Sequence, residues 1–275
     1  MVETVGQGLG LDAVADLLVE SEAPTKEIKL PANGSVKLVC GLVRSPNAET
    51  IYDVEVQELT GEHEELIAKS RRSPNIARFV STILECGIST IGGEPAQKAD
   101  IKKLLLGDRE QLLMEIRRVT YGDELEFAGL NCPQCGELLD VTITLDDIPI
   151  SRLESSEDRA FEVKLRKGGK AIVRLPNGED QEAVLENAEA TDAERNTVML
   201  ERCVSSLVDK AGNKTHVPSR PVAVRELSVP DRHAILDEVV KRQSGPNYNG
   251  VTFTHESCGK EVPLFLGQGD LFPHL

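Results

Sequence analysis

The chain contains no tryptophan, three tyrosines and six phenylalanines, so aromatics make up only 3% of its 275 residues. Few platforms remain on which unpaired bases could stack. Positive charge is also scarce: 31 lysines and arginines against 46 aspartates and glutamates give a net charge of -15. Binding to a phosphate backbone relies on Lys and Arg releasing condensed counterions, so a nucleic-acid partner is disfavoured and a basic or neutral protein surface fits better. No apolar run approaches the roughly 18 residues needed to span a bilayer. The opening stretch, MVETVGQGLGLDAVADLLVE, has two acids and no basic region ahead of its apolar run. It does not read as a secretory signal, and the expectation is a protein that stays in the cytoplasm where it is made.

What is present is the composition of a globular protein, with 40% hydrophobic and 28% charged residues, in a chain long enough for about two domains of ordinary size. Six cysteines in a cytosolic chain are poor evidence for disulfides, because that compartment keeps thiols reduced. Their spacing carries the information.

The sequence repeats itself. GDREQLLMEIRR at 107–118 aligns without a gap on PDRHAILDEVVK at 230–241, which places Asp108 and Asp231, and Arg109 and Arg232, 123 residues apart. Upstream the correspondence continues at a separation of 116 or 117: STILE at 81–85 with TVMLE at 197–201, and VEVQELTGEHEEL at 54–66 with AIVRLPNGEDQEA at 171–183. Several blocks in one order point to an internal duplication, with a few residues gained or lost between helices, as loops tolerate.

The expected fold class is α+β, each half a β-hairpin followed by helices and a closing hairpin. In the first hairpin Val36, Leu38, Cys40 and Leu42 alternate, as do Tyr52, Val54 and Val56. The counterpart sets Phe161, Val163 and Leu165 against Ile172 and Val173 around the turn KGGK. Thr60 and Asn177 read as helix starts. The next helices open at Ser73–Pro74, burying Ile76, Phe79, Val80, Ile83 and Leu84, and at Thr191 with Glu194 in capping-box register, burying Val198, Leu200, Val204 and Leu207. Asp108 and Asp231 read as N-caps of the third helices. The division is an N-terminal helical segment over 1–25, a first repeat over 26–150 and a second over 151–275.

Each repeat ends in a strand, a knuckle and a returning strand: LEFAGLNCPQCGELLDVTITLDD at 125–147 and VTFTHESCGKEVPLFLG at 251–267. The separation of 123 that aligned the helices also places Cys132 on His255 and Cys135 on Cys258. C-x-x-C at a tight turn delivers two thiolates to one point, and H-x-x-C delivers a nitrogen and a thiolate. Together they make a Cys3His set of zinc-ribbon type that would join the two halves through one structural Zn2+. A redox C-x-x-C would open a helix after a strand, whereas this one lies between two strands. Four protein ligands leave no open position for catalytic water. A redox pair and an inert pair of core cysteines stay open as alternatives of similar weight, catalytic zinc as a lesser one, and a metal site that is vestigial and lost as another. Cys40, Cys86 and Cys203 fall on apolar faces and read as small core residues.

Little else carries chemistry. His63, His216, His233 and His274 have no partner at metal or triad spacing. The GDR and PDR sequences fit helix capping and ion pairing better than catalysis. LGQGDLF and GQGLG lack the strand, helix and lysine of a phosphate loop. No nucleophile lies near a base, so the reading is non-enzymatic, without a small-molecule substrate.

IKLPANG at 28–34, VEVQELTGEHEELI at 54–67, LLLGDREQLLMEIRRVTYGDE at 104–124, CPQCGE at 132–137, VRLPNGEDQEAVL at 173–185 and SCGKEVPLFLGQGDLF at 257–272 occur in an order that resembles the T-even-type phage baseplate protein family. The resemblance implies a baseplate or hub assembly factor of a contractile phage tail or related contractile injection system, acting by holding other tail proteins, either released or retained in the particle. The family often has cysteine pairs at both knuckles; here His255 takes the place of one cysteine, a change that preserves zinc binding. The alternative from a different class is a zinc-ribbon regulatory or nucleic-acid-binding module, against which the charge of -15 argues.

Overall fold

A computed structural model describes residues 34–45, 48–273 and 275. The helical segment expected over 1–25, most of IKLPANG and His274 lie outside the described residues.

β1 (Gly34–Leu42) and β2 (Ile51–Val56) pair antiparallel, with Val36 opposite Val54. The register then shifts between Lys37 and Leu42, bringing Leu42 opposite Ile51. A simple alternation therefore fails in this hairpin. Ile51 packs on the core, while Tyr52, expected inside, is 42% exposed. β1 is buried on both sides: Leu38 and Leu42 join one hydrophobic core, Val39 and Cys40 another.

α1 (Gly61–Ser70) starts at Thr60, whose N–H donates to His63 Nδ1 at 3.2 Å, and α2 spans Ile76–Gly87. The α2 cap is Asn75 rather than Ser73: its side chain accepts from the Ala77 N–H at 3.1 Å and donates to the Glu182 carbonyl at 2.9 Å. Ile76, expected inside, is the first residue of the helix and is 56% exposed. The chain passes from Gly87 directly into β3 (Ile88–Ile91), which extends the sheet next to β2, followed by β4 (Glu94–Pro95) and α3 (Lys98–Lys103). Then come α4 (Leu106–Tyr121), the hairpin β5 (Glu124–Asn131) with β6 (Leu138–Thr144), and short β7 (Ile150–Ser151).

The later elements begin in the same order. β8 (Ala160–Lys164) and β9 (Lys170–Arg174) form a hairpin, α5 covers Gly178–Val184, and α6 covers Asp192–Cys203. The inward residues of β9 are Ala171 and Val173, opposite Val163 and Phe161; Ile172 faces the other way. α6 carries the expected Thr191–Glu194 cap but stops at Cys203, and Val204 and Leu207 belong to β10 (Val204–Val208), not to the helix. β11 (Lys214–His216), α7 (Val229–Arg242), β12 (Gly245–Pro246), β13 (Thr252–His255), β14 (Lys260–Pro263) and α8 (Gln268–Leu271) complete the chain. Strands β1 to β4 form one sheet in sequential order, and β8 to β11 form another.

Asp108 and Asp231 are not N-caps. Leu105 and Ser228 occupy those positions, and each aspartate sits in the first turn with its carboxylate turned onto another element. Asp108 accepts from the N–H groups of Cys40 at 2.7 Å and Gly41 at 3.4 Å; Asp231 accepts from the Arg166 N–H at 2.8 Å. An early helical carboxylate faces the free amides and the positive end of the helix dipole, and here it also ties the helix to a hairpin.

Both cores draw on distant stretches. Leu264, Leu266, Leu271, Phe272 and Leu275 pack in the cluster that holds Val36, Val54, Leu84 and Leu112. Val39, Cys40 and Leu105 pack in the cluster that holds Phe161, Val173, Leu200 and Ile235. The described residues accordingly belong to one compact unit. At Gly107 the backbone passes so close to the carbonyl of Ser244 that a Cβ would lie 1.9 Å from its oxygen, which only glycine permits.

Candidate metal centre

The hairpins β5–β6 and β13–β14 each turn through a knuckle of the same build. In the first, the Gly136 N–H donates to the Cys132 carbonyl at 2.8 Å; in the second, the Gly259 N–H donates to the His255 carbonyl at 2.7 Å. Both glycines have positive φ, +75° and +63°, a conformation that L side chains resist. The first knuckle is closed again by the Cys132 N–H donating to the Glu137 carbonyl at 2.9 Å.

The two knuckles meet. The ligand atoms of Cys132, Cys135, His255 and Cys258 all lie within 4.8 Å of one another, and among the described residues this is the one such Cys/His group. Cys132 Sγ is 3.9 Å from Cys258 Sγ, while His255 Nδ1 is 3.5 Å from Cys135 Sγ and 3.3 Å from Cys258 Sγ. A tetrahedral ion with Zn–S of ~2.3 Å and Zn–N of ~2.0 Å places its sulfurs about 3.8 Å apart and sulfur and nitrogen about 3.5 Å apart. The donor set and its spacing therefore fit a metal ion. On its other edge His255 presents Nε2 to Glu137 at 3.7 Å, the outer carboxylate that commonly orients a ligating imidazole.

Electrostatics prepare the first ligand. Desolvation pushes the Cys132 thiol upward, but the N–H groups of Cys135 and Gln134 and the side chains of Cys135 and His255 outweigh it and bring it down to about 6. The thiolate, the form that binds metal, is thus accessible at neutral pH. Cys132 and His255 are buried, Cys258 is half-buried and Cys135 faces outward. A tetrahedral ion held by these four side chains would have no open coordination position.

The remaining candidates lie elsewhere. Burial pushes the thiols of Cys40 and Cys203 up to about 12 and raises that of Cys86, the behaviour of inert core cysteines. His63 belongs to a helix cap, His216 Nδ1 lies 2.9 Å from Ser219 Oγ, and His233 is exposed. The capping role of His63 was missed from sequence, although Thr60 and His63 stand at capping-box spacing. Arg109 is buried and donates to the Ile101 carbonyl at 3.1 Å and Ser81 Oγ at 2.9 Å; desolvation lowers it to about 10. Among the described residues no helix is long and apolar enough to cross a membrane.

A family model described as T4 bacteriophage base plate protein matches residues 27–221. That span contains Cys132 and Cys135 and ends before His255 and Cys258. Comparison with curated proteins and with solved structures returns no match.

Proposed function

The chain belongs to the T4 bacteriophage base plate protein family, and from that premise we propose that it is a non-catalytic baseplate or hub component of a contractile tail, or of a related injection system, that holds other tail polypeptides. The match over 27–221 carries this reading. In the same proposal the protein is assembled in the cytoplasm and built into the particle. A structural zinc ion held by Cys132, Cys135, His255 and Cys258 clasps the ends of two duplicated halves, 26–150 and 151–275.

Three observations support the duplication. The two four-stranded sheets share one strand order. The knuckles share one turn geometry. Most specific is a three-residue constellation: Arg109 donates to Ser81 Oγ, which donates to the Ala77 carbonyl at 3.0 Å, and Arg232 donates at 2.6 Å to Thr197 Oγ1, which donates to the Ala193 carbonyl at 2.9 Å. These are the residues that the sequence repeat puts in register, although that repeat rests on residue letters rather than on contacts.

Coexpression with the tail proteins encoded beside it, followed by affinity purification of this chain, is expected to recover at least one of them in stoichiometric amount; recovery of none overturns the assembly reading. Elemental analysis of the purified protein is expected to give close to one zinc per chain. Cys258→Ala should lose that zinc together with much of its thermal stability, since structural zinc contributes on the order of 10 kcal/mol to folding in small metal-bound domains. A fully folded, metal-free preparation would sink the clasp.

A further inference from the structure

β6 and β13 are edge strands of two separate two-stranded sheets, and both line one surface groove of about 480 Å3. The hydrogen-bond phase of each hairpin fixes what the edges offer. The Leu145 N–H donates to the Asp123 carbonyl, so in the β5–β6 ladder Leu125–Ile143 and Phe127–Val141 are the bonded pairs, and the backbone groups of Thr142 turn away from β5. Likewise the Leu264 N–H donates to the Val251 carbonyl, so Phe253–Val262 and His255–Lys260 are the bonded pairs in β13–β14, and the backbone groups of Thr254 turn away from β14. Within their two-stranded sheets the amides of Thr142 and Thr254 thus have no partner strand. Open edges of this kind are what a further strand pairs with.

The groove's side chains state the charge of the occupant. Among the described residues Glu137, Asp140 and Glu256 line it and no lysine or arginine does, and exposed Leu138 supplies apolar surface. A second copy of this chain would bring its own acids against these, in a molecule already at -15. An extended segment bearing lysine or arginine alternating with apolar residues satisfies edges, charge and floor together.

We propose that this groove seats an extended, basic segment of another baseplate polypeptide, added as a strand along β6 and β13 beside the metal centre. The inference rests on the reading of the chain as a holder of tail proteins and adds where, and by what chemistry, it holds one.

The test uses the full chain as purified and a synthetic peptide of alternating lysine and valine, about six residues long as strands commonly are. Its counterpart alternates glutamate and valine. At an ionic strength of about 0.15 M, where screening removes long-range attraction, the lysine peptide is expected to bind and to slow hydrogen exchange at the amides of Thr142 and Thr254; the glutamate peptide is not. Thr142→Pro, which removes an outward donor at an edge position that tolerates proline, and Glu256→Lys should each weaken binding at least about tenfold. Equal binding of both peptides, no protection at those two amides, full affinity in both variants, or a dimer of this chain protecting the same amides overturns the inference, whatever metal the protein holds. A protein without zinc that still binds the lysine peptide in this way overturns the clasp and leaves the groove standing.

Discussion

Asp108 and Asp231 stand at matching places in α4 and α7, yet their carboxyls meet opposite environments. Burial raises Asp108 from 3.8 to about 7, against the pull of the N–H groups of Cys40 and Gly41. The Arg166 N–H, with the Ser228 hydroxyl, lowers Asp231. A carboxyl whose folded value lies above its unfolded one costs stability as pH rises: the cost is absent below about 4, grows through the interval up to about 7, and is constant above it. For Asp108 it amounts to a few kcal/mol, at roughly 1.4 kcal/mol for each pH unit between the two values. Asp108→Asn keeps an oxygen to accept from Cys40 and removes the ionisation. Urea denaturation is expected to show this variant gaining on the parent between pH 5 and pH 8; a constant difference across that range contradicts the assignment. Asp231→Asn should behave in the opposite sense: the stability that the lowered carboxylate contributes is present above about pH 4 and is lost as pH falls through its folded value, so the variant is weaker than the parent at pH 7 and approaches it in acid.

At the scale of elements, local signals were legible and distant ones were not. The Thr191–Glu194 cap, the Asn177 start and both knuckles could be read because the interacting residues lie within a few positions of one another. The ends of α2 and α6 could not. Gly87 runs straight into β3 and Cys203 straight into β10, and Val204 and Leu207 lie at helical spacing from Leu200, so periodicity extends the helix through residues that the sheet claims. The partners of Asp108 lie 67 and 68 residues away in β1, beyond any local pattern. The shifted register that buries both sides of β1 is equally invisible to a two-residue alternation. The convergence of Cys132, Cys135, His255 and Cys258 was legible because the sequence repeat aligned them; the nearby Glu137 carboxylate was not, since nothing in CPQCGE marks which side chain faces the imidazole. The contact of α4 with the stretch before β12 leads to a sharper expectation. Gly107→Ala would drive a Cβ into the Ser244 carbonyl, and relief requires backbone movement, so a loss of about 1–3 kcal/mol is expected in chemical denaturation. An unchanged midpoint would mean that these backbones separate freely.

The described residues of the molecule form two hydrophobic clusters, but neither belongs to one stretch of sequence. Leu38 and Val39 are neighbours in the chain and serve different cores, and the last leucines pack beside α2 and α4. Cores that share a strand in this way are both lost when either opens. Chemical unfolding is therefore expected to follow one transition, coincident by far-ultraviolet circular dichroism and by amide exchange at Leu84 and Leu200. Two separated transitions would show the clusters to be independent.

The distance along the chain between the two knuckles has a further consequence during synthesis. Cys132 and Cys135 leave the ribosome more than a hundred residues ahead of His255 and Cys258. If the proposed clasp forms, an ion captured before the second knuckle emerges would have two thiolates and solvent around it and would exchange readily; full coordination would arrive only when both knuckles exist and have docked. Under the proposed clasp, a chain interrupted between the knuckles would keep a half-site that releases metal, so a firmly held ion would distinguish a molecule made past the second knuckle from one that stopped short.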